Sequence, residues 1–348
     1  MTHVKRVLLG IALVCLCAFP VFSAGDDEAE AEGRFTIGTL HPEMNAFHAS
    51  IAKSVEERGE EKGWVVVQYT AGVDAEKQAD QLENLISLGV DAILVTPVDA
   101  KAITTAVAKA VEAGIPVYGI DRSTDGYPLT MTVQSDNAMA GRQGAQGAID
   151  FLVAKYGKAE GTVLELQGDM ASNVAQLRNE GFNDTMSQYP DVKVISKPTD
   201  WDQDRFFTNT LDVVGSTDID AIFSHTDVIG TTPIISALEQ LGKLKQVGDS
   251  EHIWYGAVDG SPTGLDAIRD GWQDMSFSQP NTDVGIVLDF VELVQIEGGT
   301  IEAQTYTQEG ALWSPAEISM SENGWMMLLA TSIVTKENVN DDRLWGNL

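Results

Sequence analysis

At residues 115–122 the chain reads IPVYGIDR: an apolar, β-prone run that stops on an acid and a base side by side, Asp121 and Arg122. At 253–260, IWYGAVDG, a second such run stops on Asp259. A run of this length bounded by Gly, Pro or a charge reads as a buried strand. An acid at its carboxyl end has two readings. It caps the next helix or turn, as Asp259-Gly260-Ser261-Pro262 is composed to do. Or it faces the crevice beyond the strand ends, where open α/β sheets place their ligands.

The neighbouring sequence decides what kind of sheet these strands belong to. FTIGTL (35–40), WVVVQYT (64–70), DAILVTP (91–97) and IPVYGID (115–121) are strand-like, and helical spacing fills 46–62, 75–88 and 99–113 between them. From Ser135-Asp136-Asn137 the pattern restarts. Helices are expected to Tyr156, over 172–188, 202–214, 227–241, 262–270 and 281–297. Strands are expected at 161–168, 192–198, 219–225, 253–259 and 274–280. Strands alternating with helices of this length are βαβ units of parallel sheets. The fold class is therefore α/β, with two successive doubly wound halves. A chain of 348 residues fits two domains at about 150 residues each. The stretch 301–348 is less legible, and LLATSIVT (328–335) reads equally as strand or buried helix.

The ends and the charge narrow the function. His3, Lys5 and Arg6 precede an apolar run from Val7 to Phe19, then Pro20, Ser23 and Ala24. This is the order of a secretory leader, residues 1–24, and the run is short against the ~20 residues a spanning helix needs. A retained anchor is the other reading. Cys15 and Cys17 leave a lipid anchor open, although Leu13, Val14 and Leu16 are bulky for an attachment box. They are the only two cysteines, so cleavage leaves no disulfide or thiolate chemistry. Residues 25–33, GDDEAEAEG, read as an acidic tether. A net charge of −30 without a basic stripe excludes a nucleic-acid partner. No phosphate-cradling glycine loop follows the first strand, and no cofactor is expected. Neither G-x-S-x-G nor H-E-x-x-H occurs. Paired carboxylates leave a glycoside-acting enzyme conceivable, but Arg122 beside Asp121 argues for an ionised acid rather than a proton donor.

The polar and aromatic residues at the strand ends form a chemically consistent set. Asp121 and Asp259 accept; Arg122 and Arg178 donate through forked guanidinium groups; Asn45 and Gln279 do both; Phe47 and Trp201 offer flat faces. Sugar and polyol hydroxyls need charged donors and acceptors, and sugar C–H faces stack on rings. Taken singly, each residue has a plainer use: a cap, a solvated helix face for Arg178, a core position for Trp201.

An ordered series of stretches resembles the type I periplasmic sugar-binding proteins, with a pattern similar to ribose-binding proteins. They are NAFHASI (45–51), IPVYGIDR (115–122), SDN (135–137), VLELQGD (163–169), LRNEGF (177–182), PTDWD (198–202), AIFSHTD (221–227), AVDGSP (257–262) and SFSQP (276–280). The resemblance implies ligand contacts at Asn45, Phe47, His48, Asp121, Arg122, Arg178, Trp201, Thr226, Asp259 and Gln279. It implies no catalytic residue. The pattern departs from ribose binding in the longer loop HPEMN (41–45), in His48 and Thr226 where that pattern has Phe and Asn, and in Trp201 for a smaller aromatic. The calcium loop of glucose- and galactose-binding relatives has no counterpart, and NVNDD (338–342) lacks its ligand spacing, so no metal is expected. VTKENV (334–339) and LWGN (344–347) resemble longer carbohydrate-binding relatives.

The implied protein is a monomer of two lobes joined by a multi-strand hinge, with crossings near Ser135-Asp136, Gln279-Pro280 and 307–311. Residues 34–135 plus 280–310 are expected to form one lobe, and 136–279 plus 311–348 the other. The lobes would close on a monosaccharide or polyol and deliver it to the membrane permease of an ABC-type importer. Presentation of a sugar or signalling molecule to a chemoreceptor or kinase is the alternative. The expected location is the periplasm or its extracytoplasmic equivalent.

Overall fold

The computed structural model describes residues 33–348. The expected leader (1–24) and nearly all of the expected tether (25–33) fall outside the described residues. The first lobe is built as expected from parallel strands, the inner ones buried on both faces and the edge strand Val65–Thr70 only partly buried. β1 (Thr36–His41), β2 (Val65–Thr70), β3 (Ala92–Val95) and β4 (Val117–Ile120) alternate with α1 (Ala46–Glu61), α2 (Ala75–Leu88) and α3 (Thr104–Glu112). Local chemistry sets the helix ends. Asp74 caps α2 by accepting from the Lys77 amide, and Gly89 ends it at φ 69°.

The two-residue side-chain period of a strand divides the core. Ala92 and Leu94 join one cluster with Ile51, Val55 and Leu288, while Ile93 and Val95 join the other with Leu82, Leu85 and Val107. In the second lobe Val163, Phe223 and Phe277 pack on one side, and Leu164, Ile222 and Tyr255 on the other. That lobe comprises α4 (Asn137–Tyr156), β6 (Gly161–Gln167), α5 (Asn173–Met186), β7 (Val192–Pro198), α6 (Gln203–Ser216), β8 (Ala221–Ser224), α7 (Thr231–Gln240), β9 (Trp254–Asp259), α8 (Pro262–Asp270) and β10 (Met275–Ser278).

Three findings correct the sequence reading. A further strand, β5 (Leu129–Ser135), was not expected; it lies beside β4 and carries buried Thr132, Gln134 and Ser135. The expected helix at 281–297 is a helical run from Val284 to Ile296 with only one short α segment, α9 (Val287–Val291). Thirdly, residues 311–329 do not belong with the second sheet. β11 (Gln304–Tyr306), β12 (Ala316–Ser321) and β13 (Gly324–Leu329) extend the first sheet, and only β14 (Ser332–Val334) joins the second. The reason is pairing: β13 lies parallel to β5 from Trp325–Met131 to Leu329–Ser135.

The sheet orders are β11-β12-β13-β5-β4-β3-β1-β2 and β14-β10-β9-β8-β6-β7. The chain thus passes between lobes after Ser135, after Ser278 and at 330–331, the last in place of the expected 307–311. The crossings are tied together. The Asp136 amide donates to the Leu329 carbonyl at 2.8 Å. Gln143, on α4, accepts from the Thr331 hydroxyl at 2.7 Å and donates to the Thr331 carbonyl at 3.3 Å.

Candidate functional site

Both strand-end acids stand in backbone conformations that favour glycine. Asp121 has φ 65° and Asp259 φ 117°; Asp200 and Trp201 follow at 52° and 57°. Non-glycine residues pay for such geometry, and it gathers where a side chain must be aimed. At Asp121 the amide still donates to the Val133 carbonyl at 2.9 Å, so the turn stays anchored to the sheet while the carboxylate leaves it. Gly260 follows Asp259 at φ 76°, where a Cβ would lie 2.3 Å from the Ser278 hydroxyl oxygen.

The expected residues converge, with one exception. A cleft is lined from the first lobe by Glu43, Asn45, Phe47, His48, Asp121 and Arg122. From the second it is lined by Val174, Arg178, Trp201, Thr226, Val228, Ile229 and Asp259. Gln279 does not line it. Its amide nitrogen donates to Asp259 Oδ1 at 2.5 Å, so it holds the acid from behind. Thr226 lines the cleft, yet its hydroxyl donates to Asp259 Oδ2 at 2.5 Å. Glu43, Val174, Val228 and Ile229 were not foreseen. Glu43 sits in the lengthened loop after β1; Val228 and Ile229 directly follow the stretch AIFSHTD (221–227).

Each charged group is oriented by others. Arg122 donates from Nη1 to the Pro97 carbonyl at 3.0 Å and lies 3.6 Å from Asp121 Oδ2. Arg178 donates from Nε to Asn137 Oδ1 at 2.8 Å and from Nη1 to the His225 carbonyl, 3.6 Å from Asp259 Oδ1. Buried beneath it, His225 accepts from the Gly168 amide at Nδ1, which leaves Nε2 to donate to Glu165 at 3.1 Å. The Arg178 guanidinium stands 6.0 Å from the Trp201 ring centroid, a cation–π contact. The ring has its seat because residue 168 is glycine: a Cβ there would fall 1.9 Å from it.

Burial dominates the electrostatics. It pushes the Asp121 carboxyl above the ordinary range, against the pull of Arg122 and Arg178. Asp259 moves the same way, with Arg178 opposing. Desolvation thus outweighs the neighbouring Arg122 at Asp121, contrary to the expectation that Arg122 keeps the acid ionised. Among the described residues no group of three or more acidic or histidine side chains is arranged to hold a metal ion.

Opposed acids and guanidinium groups, on two lobes and between aromatic walls, define a two-lobed binding protein for a small polar solute. A family model described as periplasmic binding protein domain matches residues 39–288. The chain belongs to the periplasmic binding protein family. It is 31% identical over 266 residues to the ribose import binding protein of Bacillus subtilis (strain 168), covering 75% of this chain and 82% of that one. It is 29% identical to a xylitol-binding protein of Mycolicibacterium smegmatis, covering 71% and 68%. Among solved structures, a galactofuranose-binding protein superposes with TM-score 0.74 at 22% identity, covering 89% of this chain and 97% of that one. A Caulobacter myo-inositol-binding protein does so at 0.72 and 20%, covering 88% and 95%.

Proposed function

We propose that this protein captures a monosaccharide or related polyol between its lobes and delivers it to the membrane permease of an ABC-type importer. One observation carries the reading. Each lobe presents an acid at a strand end together with a guanidinium group and an aromatic ring: Asp121, Arg122 and Phe47 from one, Asp259, Arg178 and Trp201 from the other. Hydroxyls that both donate and accept satisfy such a set, and a ring's C–H faces suit the aromatic walls. The relatives point the same way, being named for ribose and xylitol.

The finer reading follows from that chemistry. Asp121 and Asp259 accept from ligand hydroxyls, Arg122 and Arg178 donate, and Phe47 and Trp201 cover the two faces. The protein acts by capture without turnover, as an exported monomer whose lobes close about the three crossings. Thermal-shift screening of the purified protein against D-ribose, L-arabinose, D-allose, xylitol and myo-inositol tests it. A ligand at 100-fold over its dissociation constant adds about 2.7 kcal/mol of stability. No shift with any member would overturn the reading, and consumption of the ligand would replace it with an enzyme.

A further inference from the structure

The sugar or polyol reading leaves one side chain of the cleft with an unassigned task. His48 is 3% exposed, lines the cleft, and its Nε2 has no hydrogen-bond partner. A buried polar atom left alone is costly, so an unpaired one on a cleft wall marks a place for a ligand group. Which group depends on whether Nε2 donates or accepts, and the surrounding hydrogen bonds decide that.

Asn45 caps α1. Its side-chain oxygen accepts from the His48 backbone amide at 3.0 Å. A backbone N–H can only donate, so the atom facing it is the oxygen and the amide orientation is fixed. The amide nitrogen then donates to Glu43 Oε1 at 3.0 Å, which is consistent with that orientation. The same Asn45 oxygen lies 3.1 Å from His48 Nδ1. Facing an acceptor, Nδ1 must carry the proton. A neutral ring protonated at Nδ1 has a lone pair at Nε2. Burial holds the ring neutral, and the positive charge of Arg122 works in the same direction.

We infer that His48 Nε2 is a fixed acceptor for one hydroxyl of the bound sugar or polyol, with Asn45 as the positioning residue that sets its tautomer. The site thereby selects for a hydroxyl at one ligand position. A phenylalanine at 48, as in the ribose-binding pattern, would offer only ring surface there. The inference rests on the sugar or polyol reading and adds a stereochemical demand to it.

Two measurements test it. The first needs no ligand and no variant: long-range nitrogen–proton NMR of the histidine rings in the wild-type protein. A protonated Nδ1 and a bare Nε2 at His48 are expected; the opposite tautomer overturns the inference. The second takes whichever member of the five-compound panel binds wild type most tightly, with its monodeoxy derivatives, by calorimetry. One derivative is expected to bind wild type at least about tenfold more weakly than its parent, since an acceptor left unpaired in a buried site costs that much or more. In His48→Phe that discrimination should disappear while the other derivatives keep their rank. His48→Gln, with an amide oxygen available as acceptor, should retain part of it. Unchanged discrimination at every position in His48→Phe overturns the inference and leaves the sugar reading intact. Failure of wild type to bind any of the five overturns the sugar reading and this one with it.

Discussion

The indole N–H of Trp345 donates to the backbone carbonyl of Asp259 at 2.7 Å. The same ring meets Phe47 of the opposite lobe edge-on, with centroids 6.0 Å apart and planes at 88°. One buried tail residue thus touches the backbone behind the second-lobe acid and the aromatic wall of the first lobe. Gly346 next to it fits closely, because a Cβ there would sit 2.3 Å from the Gly260 carbonyl oxygen.

Replacing Trp345 with alanine should therefore affect stability and binding together. Loss of a buried Trp costs about 3–5 kcal/mol in folding. Ligand affinity should fall as well, because Asp259 at φ 117° loses one of the two donors on its carbonyl and keeps only the Gln279 amide at 3.0 Å. Urea unfolding and calorimetry on Trp345→Ala and Trp345→Phe check this. The Phe variant keeps most of the packing and lacks the N–H, so a binding defect without a large stability defect is expected there.

At Asp121 the backbone and the carboxylate can be separated. Asp121→Ala and Asp121→Gly both remove the acceptor, and both should lose about 2–5 kcal/mol of ligand affinity. At φ 65° glycine is at ease and alanine is not. The Gly variant should therefore be the more stable of the two without ligand, by about 1 kcal/mol. Equal affinity of wild type and either variant would remove Asp121 from the site.

Gly168→Ala tests the seat of Trp201. Since a Cβ would lie 1.9 Å from the ring, the indole must move off Arg178. Ligand-dependent changes in Trp201 fluorescence should shrink, and affinity should drop at least tenfold, about 1.4 kcal/mol. The unfolding midpoint should move less, because Trp201 is only partly buried.

Acid should weaken the fold partly through His41. Burial lowers its pKa to about 4, against 6.5 for the free side chain. A depressed histidine contributes stability above pH 6.5 that disappears as pH falls toward 4, because the unfolded chain takes up the proton first. The contribution at stake is roughly 3 kcal/mol, at 1.36 kcal/mol per pKa unit. The raised carboxylates Asp121 and Asp259 act in the opposite sense, so the test is a difference. The stability of wild type minus that of His41→Gln, measured by denaturant unfolding, should fall as pH drops from 6.5 to 4.

The sequence made the parallel halves legible because strands such as AILV (92–95) are apolar throughout and bounded by turn residues. It also exposed Asp121 and Asp259, since a charge ending such a strand is conspicuous. β5 escaped because its buried Thr132, Gln134 and Ser135 are polar. The tail escaped because the lobe that β12 and β13 join is fixed by register against β5, a contact nearly two hundred residues distant in sequence. Gln279 was placed in the cleft because a strand-end position says nothing about direction; its amide turns toward Asp259 instead. Glu43 was invisible for the reason most loop residues are: no periodicity announces which way a loop side chain points.

The bonds of Gln143 to Thr331 have a consequence for the range of concentrations at which the protein can work. Gln143 lies outside the cleft lining, yet both atoms of its amide hold the third crossing to α4. If only closed molecules bind tightly, apparent affinity scales with the fraction already able to close. Substitutions at such a clasp would then shift the half-saturation point and leave the preference among ligands unchanged. On that reading sensitivity and selectivity would occupy separate parts of the chain, so selection, or an engineer building a metabolite sensor, could adjust one and preserve the other.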